Sequence, residues 1–263
     1  MIHVFGTPDP PVPRLISQLA ARGRSVGGTG GIRAGGAGGM GTGSAGGLSA
    51  STAGGPPAGG AGGLSATPSE SDATLVLGPG PELDELAFGV LLDAWRKARG
   101  ARLLVLSQVG VHPDARSPRL QRLWALEERA RGFALPVLTL RLAPLIGPRS
   151  PLWQKLRTRP GLPRDGRQLI QPIAEADVIE TLERALDGRA KWEGWYEVAG
   201  CDVMSLRELA ELARTPHAVR ERGEWEPSMA EMEEQRLCET EPWTRHFGFA
   251  PRPIAAQVAG WAA

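Results

Sequence analysis

The chain has 263 residues, enough for one large domain with a sizeable core, and 41% of them are hydrophobic. Its 30 Lys and Arg balance 29 Asp and Glu, so no electrostatic footprint for a nucleic-acid backbone or an anionic membrane is expected. The two cysteines, Cys201 and Cys238, lie far apart with no Cys-x-x-Cys spacing and no clustered histidines, which excludes a zinc site or a disulfide framework and fits a reducing compartment.

The chain opens on MIHVFGTPDPPVPR, a short apolar run broken by prolines. It is too short for a signal peptide, and no later run approaches a membrane span, so a soluble cytoplasmic protein is expected. IHVFG (2–6) reads as a strand and the stretch from Arg14 to Arg22 as a helix. Residues 27 to 66 are nearly half glycine and contain AGGLSA twice, at 45–50 and 61–66. Such a segment cannot bury enough surface to offset the entropy of ordering glycine, so a coil is expected there.

TLVLG (74–78) reads as a buried strand. In the helix that follows, PELDELAFGVLLDAWRKARG, apolar residues recur at Leu83, Leu86, Ala87, Val90, Leu91, Ala94, Trp95 and Ala98. Acidic residues suit its first turn and basic ones its last, with Gly100 ending it at positive φ. RLLVLS (102–107) is a strand, SPRLQRLWALEERARGF (117–133) a helix and PVLTLRL (136–142) a strand. This alternation predicts an α/β fold, a doubly wound parallel sheet whose first half the coil interrupts. Further on come a helix at ADVIETLERALDG, a strand at WYEVAG and a helix at SLRELAELA, where Ser205 and Glu208 have capping-box spacing. Six of the eight tryptophans follow residue 150, and most of them are expected to pack in the core. The tail, EPWTRHFGFAPRPIAAQVAGWAA, reads as a loop leading into a closing helix.

The order and wording of these pieces resemble the short-chain dehydrogenase/reductase superfamily, in its extended and atypical epimerase/dehydratase and NmrA-like branches. The likeness covers residues 1–24 and 74–263 and rests on FGTPDPPVPR, LSQVGVHP, SPRLQRL, RLAPLIGP, QPIAEADV and FGFAPRPI. It implies a Rossmann-like domain formed by 1–26 and 74–200, separated by a glycine-rich segment at 27–73, with a C-terminal helical elaboration at 201–263. It also implies an NAD(P) cofactor and a site at the C-terminal edge of the sheet.

The resemblance places the family's tyrosine and lysine at Arg119 and Leu123. A tyrosine needs a neighbouring cation to act as a base near neutral pH, whereas arginine stays protonated and leucine carries no proton to exchange. The chain's only tyrosine is Tyr196, and its lysines are Lys97, Lys155 and Lys191. Ser107 matches the first serine of the family's L-S-S, and Gln108 stands at the second. Of the cofactor loop's three glycines only Gly6 remains, with Asp9 and Val12 in the other places, while Pro8, Pro10, Pro11 and Pro13 remove backbone donors. No acid lies between Asp9 and Glu70 to hold the adenosine ribose.

The candidate residues are therefore Ser107 and His112 for catalysis, with His112 a substitute acid/base. By resemblance Gly6, Arg141, Pro144 and Gly147 line the cofactor. Arg22, Arg24 and Arg33 could receive a 2′-phosphate or be plain solvated charges. Asp177 resembles an aspartate of the family's V-D-D-V and could equally be a helix N-cap. No metal site is expected. The expected function is that of a degenerate, non-catalytic relative binding a small molecule or a partner protein, with weak or absent dinucleotide binding. The alternative is an active NAD(P)-dependent oxidoreductase or epimerase with an unusual acid/base.

Overall fold

The computed structural model describes residues 2–6, 17, 19, 21, 26–29, 74–78, 85–97, 100–157, 161–214 and 237–261. Strands β1 (Ile2–Gly6), β2 (Val26–Thr29), β3 (Thr74–Gly78), β4 (Arg102–Gln108) and β5 (Val137–Leu142) come first. The short β6 (Leu145–Ile146), β7 (Leu169–Ile170) and β8 (Ile173–Ala174) follow, then β9 (Trp195–Val198) and β10 (Met204–Ser205). Six of them form one parallel sheet in the order β2-β1-β3-β4-β5-β9. The strand order turns at β1, whose neighbours lie on opposite sides of it, as doubly wound α/β folds require.

β4 and β5 are buried nearly end to end, which is why their sequences are continuous apolar runs rather than alternating ones. Leu103 and Val105 point to one face, against Phe88, Leu91, Leu92 and Trp95 of helix α1 (Glu85–Lys97) and Leu126 and Ala130 of helix α2 (Pro118–Arg131). Leu104, Leu106, Leu138 and Leu140 point to the other face. There they meet Leu19, Val178, Ile179, Leu182, Trp243 and Phe247. Helices thus cover both faces, and the fold class read from the sequence is the one observed.

A second, smaller core unites helix α3 (Pro151–Arg157) with β7, the helix that begins at Leu206 and the last helix through Trp153, Leu156, Ile170, Leu206, Leu209 and Ile254. Helix α4 (Glu175–Leu186) lies between the two cores in sequence, and α5 spans Leu206–Leu212. The spacing of Ser205 and Glu208 does form a capping box: each closes on the other's backbone N–H.

Four features depart from the sequence reading. Val26–Thr29 pairs with β1 as a second strand, although its Gly27, Gly28 and Thr29 belong to the glycine-rich run; backbone ladder bonds need no side chain. The rest of that run, from residue 30 to 73, lies outside the described residues. Gly100 does not adopt positive φ; a Cβ there would collide with the Trp95 ring, so close packing requires the glycine. Asp177 is not an N-cap but the third residue of α4. The tail begins with a helix, α6 (Glu241–Phe247), where a loop is expected, ahead of α7 (Ile254–Ala259). Pro242 starts α6, Gly248 at φ 70° ends it, and Trp243 and Phe247 anchor it in the main core.

Candidate functional site at the C-terminal edge of the sheet

At the edge where open α/β sheets bind ligands, β4 ends with Ser107 opposite Arg141 and Gln108 opposite Leu142. The first turn of α2 lies over this end. Arg119 donates from its guanidinium to Gln108 Oε1 at 2.8 Å, so the positions that the resemblance assigns to tyrosine and the second serine are joined to each other. Leu123, one turn on, is buried with Val111, Ala115 and Leu120. An aliphatic cluster therefore fills the place that the resemblance assigns to lysine.

Ser107 is 8% exposed, and its Oγ has no hydrogen-bond partner. By alternation with Leu103 and Val105 it faces α2. His112 stands apart in an exposed turn: its Nδ1 accepts from the Asp114 N–H at 3.2 Å and lies 3.8 Å from the Asp114 carboxylate.

Arg141 points to the helix side, where it makes three hydrogen bonds to Glu127 on α2, from Nε at 3.0 and 3.2 Å and from a terminal nitrogen at 2.6 Å. Its guanidinium also lies 4.2 Å from the centre of the Trp195 ring. The Glu127 side chain is 1% exposed and that of Arg141 10%. A carboxylate so deeply buried needs such a partner, since an isolated charge there would lose its hydration uncompensated.

Pro144 and Gly147 follow the end of β5. The Pro144 carbonyl accepts from Ile173 N at 3.0 Å, and Gly147 N donates to Ser150 Oγ at 3.1 Å. A Cβ on Gly147 would strike the buried Glu175 side chain, so glycine is required for close approach. Gly6 ends β1 opposite Gly78, and the loop after it lies outside the described residues, as do Arg22, Arg24 and Arg33.

Three arrangements escape sequence reasoning. Glu127 shares a helix face with Arg119 and Leu123 at i+8 and i+4, and only its burial gives it a role. Asp177, 3% exposed, receives Gln257 Nε2 at 2.7 Å, Arg252 N at 3.2 Å and the Arg252 guanidinium at 3.3 Å, so it ties the tail to α4. Tyr196 stacks on His246 with centroids 4.3 Å apart, and its hydroxyl lies 2.9 Å from His246 Nδ1, while His246 Nε2 lies 2.9 Å from the Lys191 carbonyl. The carbonyl can only accept, so Nε2 carries the proton and the tyrosine donates to Nδ1. Burial, then the nearby Glu193 carboxylate, raise the Tyr196 pKa. Burial, reinforced by Glu197, pushes the Cys238 thiol up to about 12.

Among the described residues no cluster of His, Cys, Asp and Glu could hold a metal ion, and no helix is long and apolar enough to cross a membrane.

This combination of strand order, crossover helices and C-terminal elaboration defines a Rossmann-like α/β protein. More narrowly, the fold is shared with solved structures of low sequence identity. Similar solved structures include MoeE5 in complex with UDP-glucose and NAD, at TM-score 0.62 and 16% identity over 99% of this chain and 96% of that one. The UDP-glucose 4-epimerase of Thermotoga maritima matches at TM-score 0.60 and 10% identity, over 98% and 96% of the two chains. The Bordetella bronchiseptica enzyme WbmG, in complex with NAD, matches at TM-score 0.51 and 14% identity over 72% and 70%. No family model matches the sequence, and no curated protein does.

Proposed function

We propose that the chain is a non-catalytic protein on a short-chain dehydrogenase/reductase scaffold. In this reading it uses the C-terminal edge of its sheet to bind a small molecule or a partner protein in the cytoplasm, and it holds nicotinamide dinucleotide weakly or not at all. The observation that carries this reading is the Arg119–Gln108 hydrogen bond beside a buried Leu123. A guanidinium stays protonated at any working pH and an aliphatic side chain has no proton to give, so this pair cannot move a proton to or from a substrate.

The described residues also fit a dinucleotide poorly. β2 reads VGGT and has no acid to accept a ribose hydroxyl, and Arg141, expected beside the nicotinamide, is held by Glu127 and Trp195. A second reading is an active oxidoreductase or epimerase with Ser107 or His112 as acid/base. The NAD-bound MoeE5 and WbmG of the same fold favour it, whereas His112 in its exposed, self-bonded turn supports it little.

Thermal unfolding with NAD, NADH, NADP and NADPH tests the choice. A ligand at 100 times its dissociation constant stabilises the native state by about 2.7 kcal/mol. Melting curves unmoved by millimolar dinucleotide are expected. A saturable shift with micromolar midpoint would overturn the non-catalytic reading and make Ser107 and His112 the first residues to replace.

A further inference from the structure

The chain holds two Asp-Gly pairs, Asp165-Gly166 and Asp187-Gly188, and no asparagine. An aspartate followed by glycine is open to attack by the next backbone nitrogen on its own side-chain carboxyl, because glycine has no Cβ to crowd the five-membered ring that forms. The fold gives the two pairs different surroundings.

Asp165 lies in the short turn Pro163–Gly166 at φ 55° and ψ 21°, after Arg164 at φ 44° and before Gly166 at φ 71°. Two consecutive L residues in the left-handed region bring Cβ against the carbonyl oxygen, and such strain persists where surrounding contacts impose it. One contact comes from Arg207, the second residue of α5. Its guanidinium donates to the Asp165 carbonyl oxygen from Nε at 3.1 Å and from a terminal nitrogen at 2.7 Å. Asp165 itself is exposed, so its carboxymethyl arm can swing while the peptide stays under Arg207. Asp187, by contrast, closes α4 in the relaxed right-handed region at φ −78° and ψ −3°. The Gly188 N–H that follows it donates to the Ala185 carbonyl at 3.2 Å.

We propose that Asp165-Gly166 is a site of isoaspartate formation and that Arg207 promotes it. The Gly166 nitrogen gives up its proton and bonds to the Asp165 side-chain carboxyl carbon, whose hydroxyl leaves as water, and a succinimide results. Water then adds to the Asp165 main-chain carbonyl carbon and breaks its bond to the Gly166 nitrogen. Mass is unchanged overall, and the backbone gains one methylene. Arg207 acts twice. Its two donors on the carbonyl oxygen stabilise the negative charge that spreads there when the nitrogen is deprotonated, as donors in an oxyanion hole do. After ring opening the same carbonyl is a free carboxylate opposite the guanidinium fork, which is a bidentate charged pair. Departure from the left-handed turn also releases its strain. The site lies outside the edge discussed above and is independent of what that edge binds.

The test is ageing of the full chain at physiological temperature and neutral pH, followed by Lys-C digestion and electron-transfer fragmentation, which locates isoaspartate residue by residue. With no asparagine in the chain, every isoaspartate found arises from an aspartate. Isoaspartate is expected to accumulate at 165 faster than at 187. Arg207→Met should slow it about tenfold at 165, the rate equivalent of one charged hydrogen bond, and leave 187 unchanged. Arg207→Lys, which keeps the charge and loses the fork, should fall between, and Asp165→Glu should abolish the signal there. In urea the two sites should age alike in every variant, since the fold no longer places Arg207. Circular-dichroism melts confirm that each variant is folded during ageing. Equal rates at 165 and 187 in the folded wild type would overturn the proposal. So would ageing at 165 that is unchanged or faster in Arg207→Met, the result expected if the arginine merely holds the turn shut.

Discussion

Arg141 distinguishes the role implied by family resemblance from the one implied by packing. If it serves a cofactor, Arg141→Met should alter dinucleotide binding and leave stability nearly untouched. The geometry argues the reverse. Removing the guanidinium strands Glu127, whose side chain is 1% exposed, and breaking a buried pair in this way costs about 3–5 kcal/mol. The lost contact with the Trp195 ring adds about 0.5–2 kcal/mol. For a chain of this size such a loss lowers the melting temperature by on the order of 10 °C. The double variant Glu127→Met/Arg141→Met removes both charges and keeps an unbranched apolar stem in each place, so it is expected to recover most of the deficit. Circular-dichroism melts of the wild type, both single variants and the double variant complete the cycle. A single-variant cost below about 1 kcal/mol, or a double variant as unstable as the singles, would refute the reasoning.

Four further outcomes are expected. Asp177→Ala should destabilise by about 2 kcal/mol, through loss of hydrogen bonds to a buried carboxylate, and should speed amide exchange across 252–260 more than in α1. Gly200→Ala places a methyl group against the Pro172 carbonyl and should cost about 1–3 kcal/mol as overpacking; an unchanged melt would show that the backbone gives way there. With a free-thiol pKa of 9.0 pushed to about 12 at Cys238, the folded chain keeps its proton while the unfolded one loses it. That contribution is therefore present below pH 9 and declines as pH rises toward 12, and Cys238 should alkylate far more slowly than the exposed Cys201. Equal alkylation rates would contradict the burial argument. Finally, Arg119→Tyr/Leu123→Lys should gain no reductase activity, because the acid-free β2 offers nothing to hold the ribose; NAD(P)H-dependent turnover would show the nucleotide pocket to be sound.

The sheet was legible because its strands are covered on both faces: RLLVLS and VLTLRL are unbroken apolar runs, and the stripe Leu120, Leu123, Leu126, Ala130 is a helix face. The capping box was legible because it is local, with both partners within four residues. β2 was not, since VGGT has one large apolar side chain and its pairing with β1 is made by the backbone. Arg141 and Asp177 could not be assigned for a different reason. Each was matched to a motif, but its partner lies elsewhere in the chain, Glu127 fourteen residues before Arg141 and Arg252 seventy-five after Asp177. No periodicity connects such pairs. The site edge was half visible: that Arg119 and Leu123 stand where the resemblance expects tyrosine and lysine can be read along the chain, whereas the contact between Arg119 and Gln108 required the fold to bring β4 and α2 together.

The tether between Asp177 and the tail also sets an order of events. α4 can seat Val178, Ile179 and Leu182 against β4 and β5, but its Asp177 carboxylate is then without Arg252 and Gln257. Those two are made seventy-five and eighty residues later, and closing so long a loop is among the slower contacts a chain must find. Until translation has passed Gln257, the carboxylate therefore lacks the partners that hold it in the folded chain.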